Sequence, residues 1–228
     1  MDDVEFLQEL VSIPSVSGDE DLVAEHLSWR MSVLGYDVHR DAVGNVVGEI
    51  GDPRAEQSIV LLGHIDTVPG LLPVRCEGGY LYGRGSVDAK GPLAVFALSG
   101  ARVAPRWRAA RLTVIGCVGE EVEGVGAHYL AETMPRPTFV IIGEPSSWQG
   151  ITLGYKGMLS VTFEMKQPSG HGASGRAVPA EAAVAFWNRL MEHSRAFNRG
   201  RRWRFDTLDA ALRAVNTWTD GLERGVEM

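Results

Sequence analysis

Cysteine is scarce in these 228 residues: Cys76 and Cys117 are the whole complement, and neither has a second cysteine at CxxC spacing. That excludes a disulfide framework, a zinc ribbon and a dithiol redox centre, and leaves two reduced structural thiols. Long apolar runs are missing too. No window approaches the roughly 20 continuous apolar residues of a membrane span, and the start, Met1-Asp2-Asp3-Val4-Glu5, is acidic where a secretion signal is basic. A cytoplasmic protein with no membrane partner is the expectation. Positive charge is also short. The 22 basic residues face 29 acidic ones, a formal charge of −7, so there is no electrostatic case for nucleic acid or an anionic lipid surface. Internal repeats, low-complexity tracts and long linkers are absent as well.

What is present is material for a core. With 45% hydrophobic and 22% charged residues, the chain can build one large domain, or one domain with a smaller companion. Residues 4–11 and 22–34 read as helices, the second carrying Val23, Leu27, Met31 and Leu34 on one face. Strands are expected at 36–40 and 45–50 around Gly44-Asn45, and at 58–63, 112–118 and 138–143, the last three as continuous apolar runs typical of buried strands. Helices at 89–103 and 126–134 fall between those runs. The alternation predicts an α/β mixed sheet with helices on both faces. After Gly154-Tyr155-Lys156-Gly157 the texture changes, because residues 158–166 alternate apolar and polar like a sheet with one wet face. A first domain over 1–154 and a smaller, incomplete α+β domain over 155–228 are expected. The second continues with a helix at 179–197 and a further element at 208–215, and ends in the start of a strand at 225–228.

Four fragments carry the chemistry. The strand at 58–63 runs into His64-Ile65-Asp66, and a spacing of two on extended chain puts imidazole and carboxylate on one side. They read either as a working pair or as a core histidine followed by a turn aspartate. Asp88 lies in the glycine-rich loop Gly83-Arg84-Gly85-Ser86-Val87-Asp88 ahead of a helix, where it serves either a site or a helix cap. Glu120 and Glu121 follow another apolar strand as adjacent carboxylates, costly unless a cation or a shared proton offsets them, or else a solvated acidic loop. Glu144, in Gly143-Glu144-Pro145, stands at a third strand exit. All four fall where open α/β sheets build their sites. One imidazole with several carboxylates and no cysteine suits zinc or a similar divalent ion, and the carboxylate excess suggests two ions with one aspartate bridging.

In this order and spacing, Gly63-His64-Ile65-Asp66-Thr67-Val68-Pro69, Gly83 to Gly91, Glu120-Glu121 and Gly143-Glu144-Pro145 resemble the motifs of the M20 metallopeptidases. Residues 85–92 look most like the LysW-carrier branch, which releases lysine or ornithine from a carrier protein, and its acetyl-lysine and acetyl-ornithine deacetylase relatives. The resemblance implies a zinc-peptidase-like catalytic domain with a lid through which homodimers form. It makes His64 and Glu144 ligands of one zinc, Asp88 the bridge, and Glu121 a ligand of the other, with Co2+ or Mn2+ as possible replacements. It makes Glu120 the general base and Asp66 the partner that accepts a hydrogen bond from the outer ring nitrogen of His64. His171, in Gly170-His171-Gly172-Ala173-Ser174-Gly175, matches the lid histidine that donates to the oxyanion.

Members of the family are longer, returning from the lid to finish the sheet and supply a closing histidine ligand. Nothing in residues 1–228 matches that return, so incomplete zinc binding and little hydrolysis by this chain alone are expected. Three functions stay open: release of a basic amino acid from an acyl group or a carrier's glutamate, another deacylase, desuccinylase or dipeptidase specificity, and a non-catalytic dimerisation or partner-binding module. Arg102, Arg106, Arg108 and Arg111 form a basic cluster that fits either an acidic carrier or plain solvation near a helix end.

Overall fold

The computed structural model describes residues 3–106, 109–146, 149–168, 178–202, 204–219 and 223–228. They fall into two compact units, Met1–Gly150 and Ile151–Met228, a division four residues before the boundary expected after 154.

The first unit opens with two helices, α1 (Asp3–Ser12) and α2 (Asp21–Val33). In α1 the stripe Phe6, Leu10 and Val11 is buried, and in α2 the stripe Val23, Leu27 and Met31, each at helical spacing. Strands β1 (Asp37–Arg40) and β2 (Val46–Gly51) form an antiparallel pair. Asp41 shapes the turn between them, its Oδ1 accepting the amides of Val43, Gly44 and Asn45. Then come β3 (Gln57–His64), a short hairpin of β4 (Arg75–Glu77) and β5 (Tyr80–Tyr82), α3 (Lys90–Val103), β6 (Ala110–Cys117), α4 (Val125–Thr133) and β7 (Phe139–Ile142). Sheet order is β1-β2-β6-β3-β7, with β6, β3 and β7 parallel and β2 antiparallel to β6. The mixed sheet is therefore as expected.

Side-chain alternation sorts its core. Val46, Leu61 and Val114 face α1, α2 and α3. Their neighbours Val47, Val60 and Ile115 face the other way and pack with Leu130 of α4. The connection β3–α3–β6 moves one way along the sheet and β6–α4–β7 moves back past β3. This reversal puts the two helices on opposite faces and opens a crevice at the carboxyl ends of the parallel strands.

In the second unit β8 (Glu164–Pro168), β10 (Glu223–Glu227) and β9 (Asn216–Thr219) form an antiparallel sheet in the order β8-β10-β9. Helix α5 (Pro179–Asn198) packs on it, with Phe186 stacked on Phe163 at 4.8 Å between ring centroids. Two expectations need correction here. The alternating stretch 158–166 is strand only from Glu164 onward, with Phe163 and Met228 exchanging backbone hydrogen bonds just beyond the β8–β10 ladder. Residues 208–215 form no regular element. There the chain is held by α5 side chains instead: Ser194 and Asn198 both donate to the Leu208 carbonyl, and the Leu208 amide donates to Asn198.

Candidate metal centre

His64 closes β3 and is buried. Beyond it the backbone stays extended, with the Ile65 amide donating to the Cys117 carbonyl at 2.8 Å and the Thr67 amide to the Ser15 carbonyl at 2.8 Å. Asp66, fully buried between them, spends its carboxylate on the neighbouring loop. Oδ1 accepts the Glu120 amide at 3.0 Å; Oδ2 accepts the Glu121 amide at 3.0 Å and the Ser17 hydroxyl at 2.7 Å. The outer ring nitrogen of His64, Nδ1, lies 3.0 Å from the main-chain carbonyl of Asp66 and 3.4 Å from its carboxylate. The nearer acceptor for the imidazole is thus the Asp66 backbone, and the Asp66 side chain chiefly braces the Glu120–Glu121 turn. Ser17 has no sequence signal beyond its place in a polar stretch before α2.

The inner nitrogen, Nε2, faces the carboxylates: Asp88 Oδ1 at 3.0 Å and Glu120 Oε2 at 4.0 Å. Asp88 is no helix cap, since Ala89 holds the N-cap position of α3 without a side-chain bond. The Asp88–Ala89 peptide is cis. Next to it Lys90 is buried, its ammonium donating to the carbonyls of Leu10 and Ile13 at the end of α1 while burial pushes its pKa down to about 8. His64, Asp88 and Glu121 each offer a ligand atom within 4.8 Å of the others. Glu144 lies outside that group, two residues beyond β7, yet its charge acts on His64.

The electrostatics of this cluster call for positive charge. Glu121 is raised above the usual carboxylate range by burial and then by the charge of Asp88, and Glu144 by burial and by Glu120, Asp88 and Glu121, against the opposing pull of His64. Burial alone would lower His64, but hydrogen bonds to Asp66 and Asp88 and the charge of Glu144 raise it above the ordinary imidazole range. Among the described residues no lysine or arginine pairs with Asp88, Glu120, Glu121 or Glu144. A divalent cation meets the same demand, and one imidazole with oxygen donors is a donor set that fits it.

His171 falls outside the described residues. Within the basic cluster Arg102 pairs with Asp3 and Arg111 with Glu49 at 3.8 Å, so two of the four are already engaged inside the unit; Arg108 is outside the described residues. No described helix is long and apolar enough to cross a membrane.

A mixed α/β sheet that gathers one imidazole and several carboxylates at its switch point is an open-sheet arrangement able to hold a metal ion. The chain belongs to Peptidase family M20/M25/M40, whose model matches residues 60–219. It is 40% identical over 224 residues to a LysW-lysine hydrolase of Deinococcus radiodurans, covering 96% of this chain and 61% of that protein. With a putative LysW-lysine/LysW-ornithine hydrolase of Thermococcus kodakarensis it shares 41% over 211 residues, 92% of this chain and 56% of the relative. In fold it is similar to a tripeptidase from Staphylococcus aureus, with a TM-score of 0.64, 18% identity, and coverage of 99% of this chain and 65% of that one. The chain spans about three-fifths of the length of the curated relatives it matches.

Proposed function

We propose that the protein carrying this chain hydrolyses the amide that joins lysine or ornithine to LysW, with two zinc ions held by His64, Asp88, Glu121 and Glu144. The observation that carries this reading is the convergence of His64, Asp88 and Glu121 within 4.8 Å. Its substrate is taken from the names of relatives about 40% identical over most of the chain. Bound zinc, or cobalt or manganese in the same oxygen-rich set, supplies Lewis acidity toward the amide carbonyl and lowers the pKa of the attacking water.

The side chains do the rest. Glu120, part-exposed and 4.0 Å from His64 Nε2, accepts the proton of the attacking water and returns it to the leaving amine. Asp66 fixes the amides of Glu120 and Glu121 through its two oxygens, so base and ligand keep one register. Its main-chain carbonyl engages Nδ1 of His64, which leaves Nε2 facing Asp88, a carboxylate that would help to hold the metal. His171 is assigned the oxyanion donor from its glycine-rich motif alone. The same reading carries a homodimer through the second unit, supported by Ile151, Leu153, Met158 and Leu159, whose side chains are 79–95% exposed. It also carries a cytoplasmic location, supported by the free thiols Cys76 and Cys117.

The test is amino-acid release from LysW-linked lysine and ornithine, acetyl-lysine and acetyl-ornithine, with Glu120→Gln alongside. Carrier-linked substrates are expected to be preferred, and Glu120→Gln to lower kcat by about 10²–10⁴-fold at unchanged metal content. Faster release from an acetyl-amino acid would reassign the substrate, and an unaffected Glu120→Gln would remove the base.

A further inference from the structure

Past the end of β6 the backbone presents four consecutive amides, Val118 to Glu121, and a side-chain oxygen takes each of them. The Val118 amide donates to Asn45 Oδ1 at 3.0 Å and the Gly119 amide to Glu20 Oε1 at 3.1 Å. The Glu120 and Glu121 amides go to the two oxygens of Asp66, both at 3.0 Å. Asn45 is fully buried and is itself held, its amide group donating to Asp41 and to the Gly126 carbonyl. Glu20 is 8% exposed, and among the described residues no lysine or arginine pairs with it. Two backbone bonds close the loop, Gly124 amide to Gly119 carbonyl at 2.7 Å and Gly126 amide to Val118 carbonyl at 3.1 Å.

Burying a carboxylate is costly unless strong donors meet it. A charge-assisted bond to a single amide at the residue before Glu120 is an expensive way to finish a strand, yet it fixes the direction in which the next two side chains leave the backbone. We propose that Glu20, seconded by Asn45, is a positioning residue for Glu120 and Glu121, acting through the Gly119 amide. Glu20 also opens α2, its carbonyl accepting the Ala24 amide. The start of that helix is thereby tied to the loop that carries base and ligand. This inference rests on the metal-dependent reading above.

Co2+ titration of the full chain, followed by visible absorption, tests it without reference to turnover. Glu20→Met keeps the volume but has no oxygen acceptor for the amide; Glu20→Gln keeps one; Leu98→Ala loosens the buried face of α3 without touching any of the four clamped amides. Glu20→Met is expected to weaken Co2+ binding by about tenfold or more, the usual cost of losing a partner behind a ligand, with Glu20→Gln close to wild type. Leu98→Ala should lower the urea midpoint and leave Co2+ affinity unchanged. Hydrogen exchange at the Gly119 amide should speed up in Glu20→Met beyond its neighbours in β6. Wild-type Co2+ affinity in Glu20→Met, or a loss matched by Leu98→Ala, overturns the positioning role alone. A wild-type chain that takes up no Co2+ overturns the metal reading and this inference together.

Discussion

At Asp66 burial would push the carboxyl pKa up, yet hydrogen bonds from His64 and Ser17 and from the amides of Glu121 and Glu120 hold it down at about 2. A carboxylate depressed in the folded state contributes stability that is fully present above its ordinary value of 3.8 and is lost as pH falls through about 2. That contribution is about 2 kcal/mol. Asp66→Asn turns an amide NH2 toward a backbone or hydroxyl donor, so unfolding in urea with chelator present should show a loss of about 1–3 kcal/mol at pH 6. The gap between wild type and Asp66→Asn should then narrow from pH 4 downward; a gap that stays constant to pH 2 would mean that Asp66 is not ionised in the fold. Of the residues around it, strand exits and a glycine-rich loop mark His64, Asp88 and Glu121 in the sequence as candidates, and the fold brings these three together. Ser17, Glu20 and Asn45 carry no such mark, since their partners are a carboxylate and backbone amides, which leave no trace in the order of side chains.

Elements are most legible where burial dominates. The apolar runs of β3, β6 and β7 and the helical stripes of α1 and α2 announce themselves by period. The β4–β5 hairpin is nearly silent in the sequence, because three-residue strands carry too little alternation; its one signal is Gly78-Gly79, both at positive φ as a tight hairpin turn demands. The stretch 158–162 shows the opposite case, since apolar alternation makes a strand only where a ladder partner stands beside it, and among the described residues none pairs with it. At the entry to α4 a finer constraint operates. A Cβ on Gly126 would stand 2.2 Å from Asn45 Oδ1 and 2.7 Å from the Val118 carbonyl oxygen, so neither the clamp nor the backbone could keep its place. Gly126→Ala should therefore destabilise by about 1–3 kcal/mol. Chemical denaturation measures the loss, and a variant as stable as wild type would show that the loop relaxes freely around the methyl group.

Across the molecule the two edges of the five-stranded sheet differ in kind. β1 ends the sheet with Asp37, His39 and Arg40, charged or polar side chains of the sort that discourage further pairing. β7 ends it with Phe139, Val140, Ile141 and Ile142, all 51–57% exposed, and among the described residues its only ladder neighbour is β3. A short, wholly apolar edge with free backbone groups recruits another strand, and relatives of which this chain spans 61% and 56% have further chain of their own. For the 228 residues by themselves, self-association through β7 is the expected consequence. Sedimentation velocity over a wide concentration series should show it, together with binding of an apolar dye. Ile141→Lys should shift the population toward smaller species while changing the unfolding free energy in urea by no more than about 0.5 kcal/mol, because the side chain is on the surface. Association that persists undiminished in Ile141→Lys would transfer the contact to the exposed apolar residues of the second unit, and a wild-type chain that stays monomeric throughout would show that the β7 edge is inert.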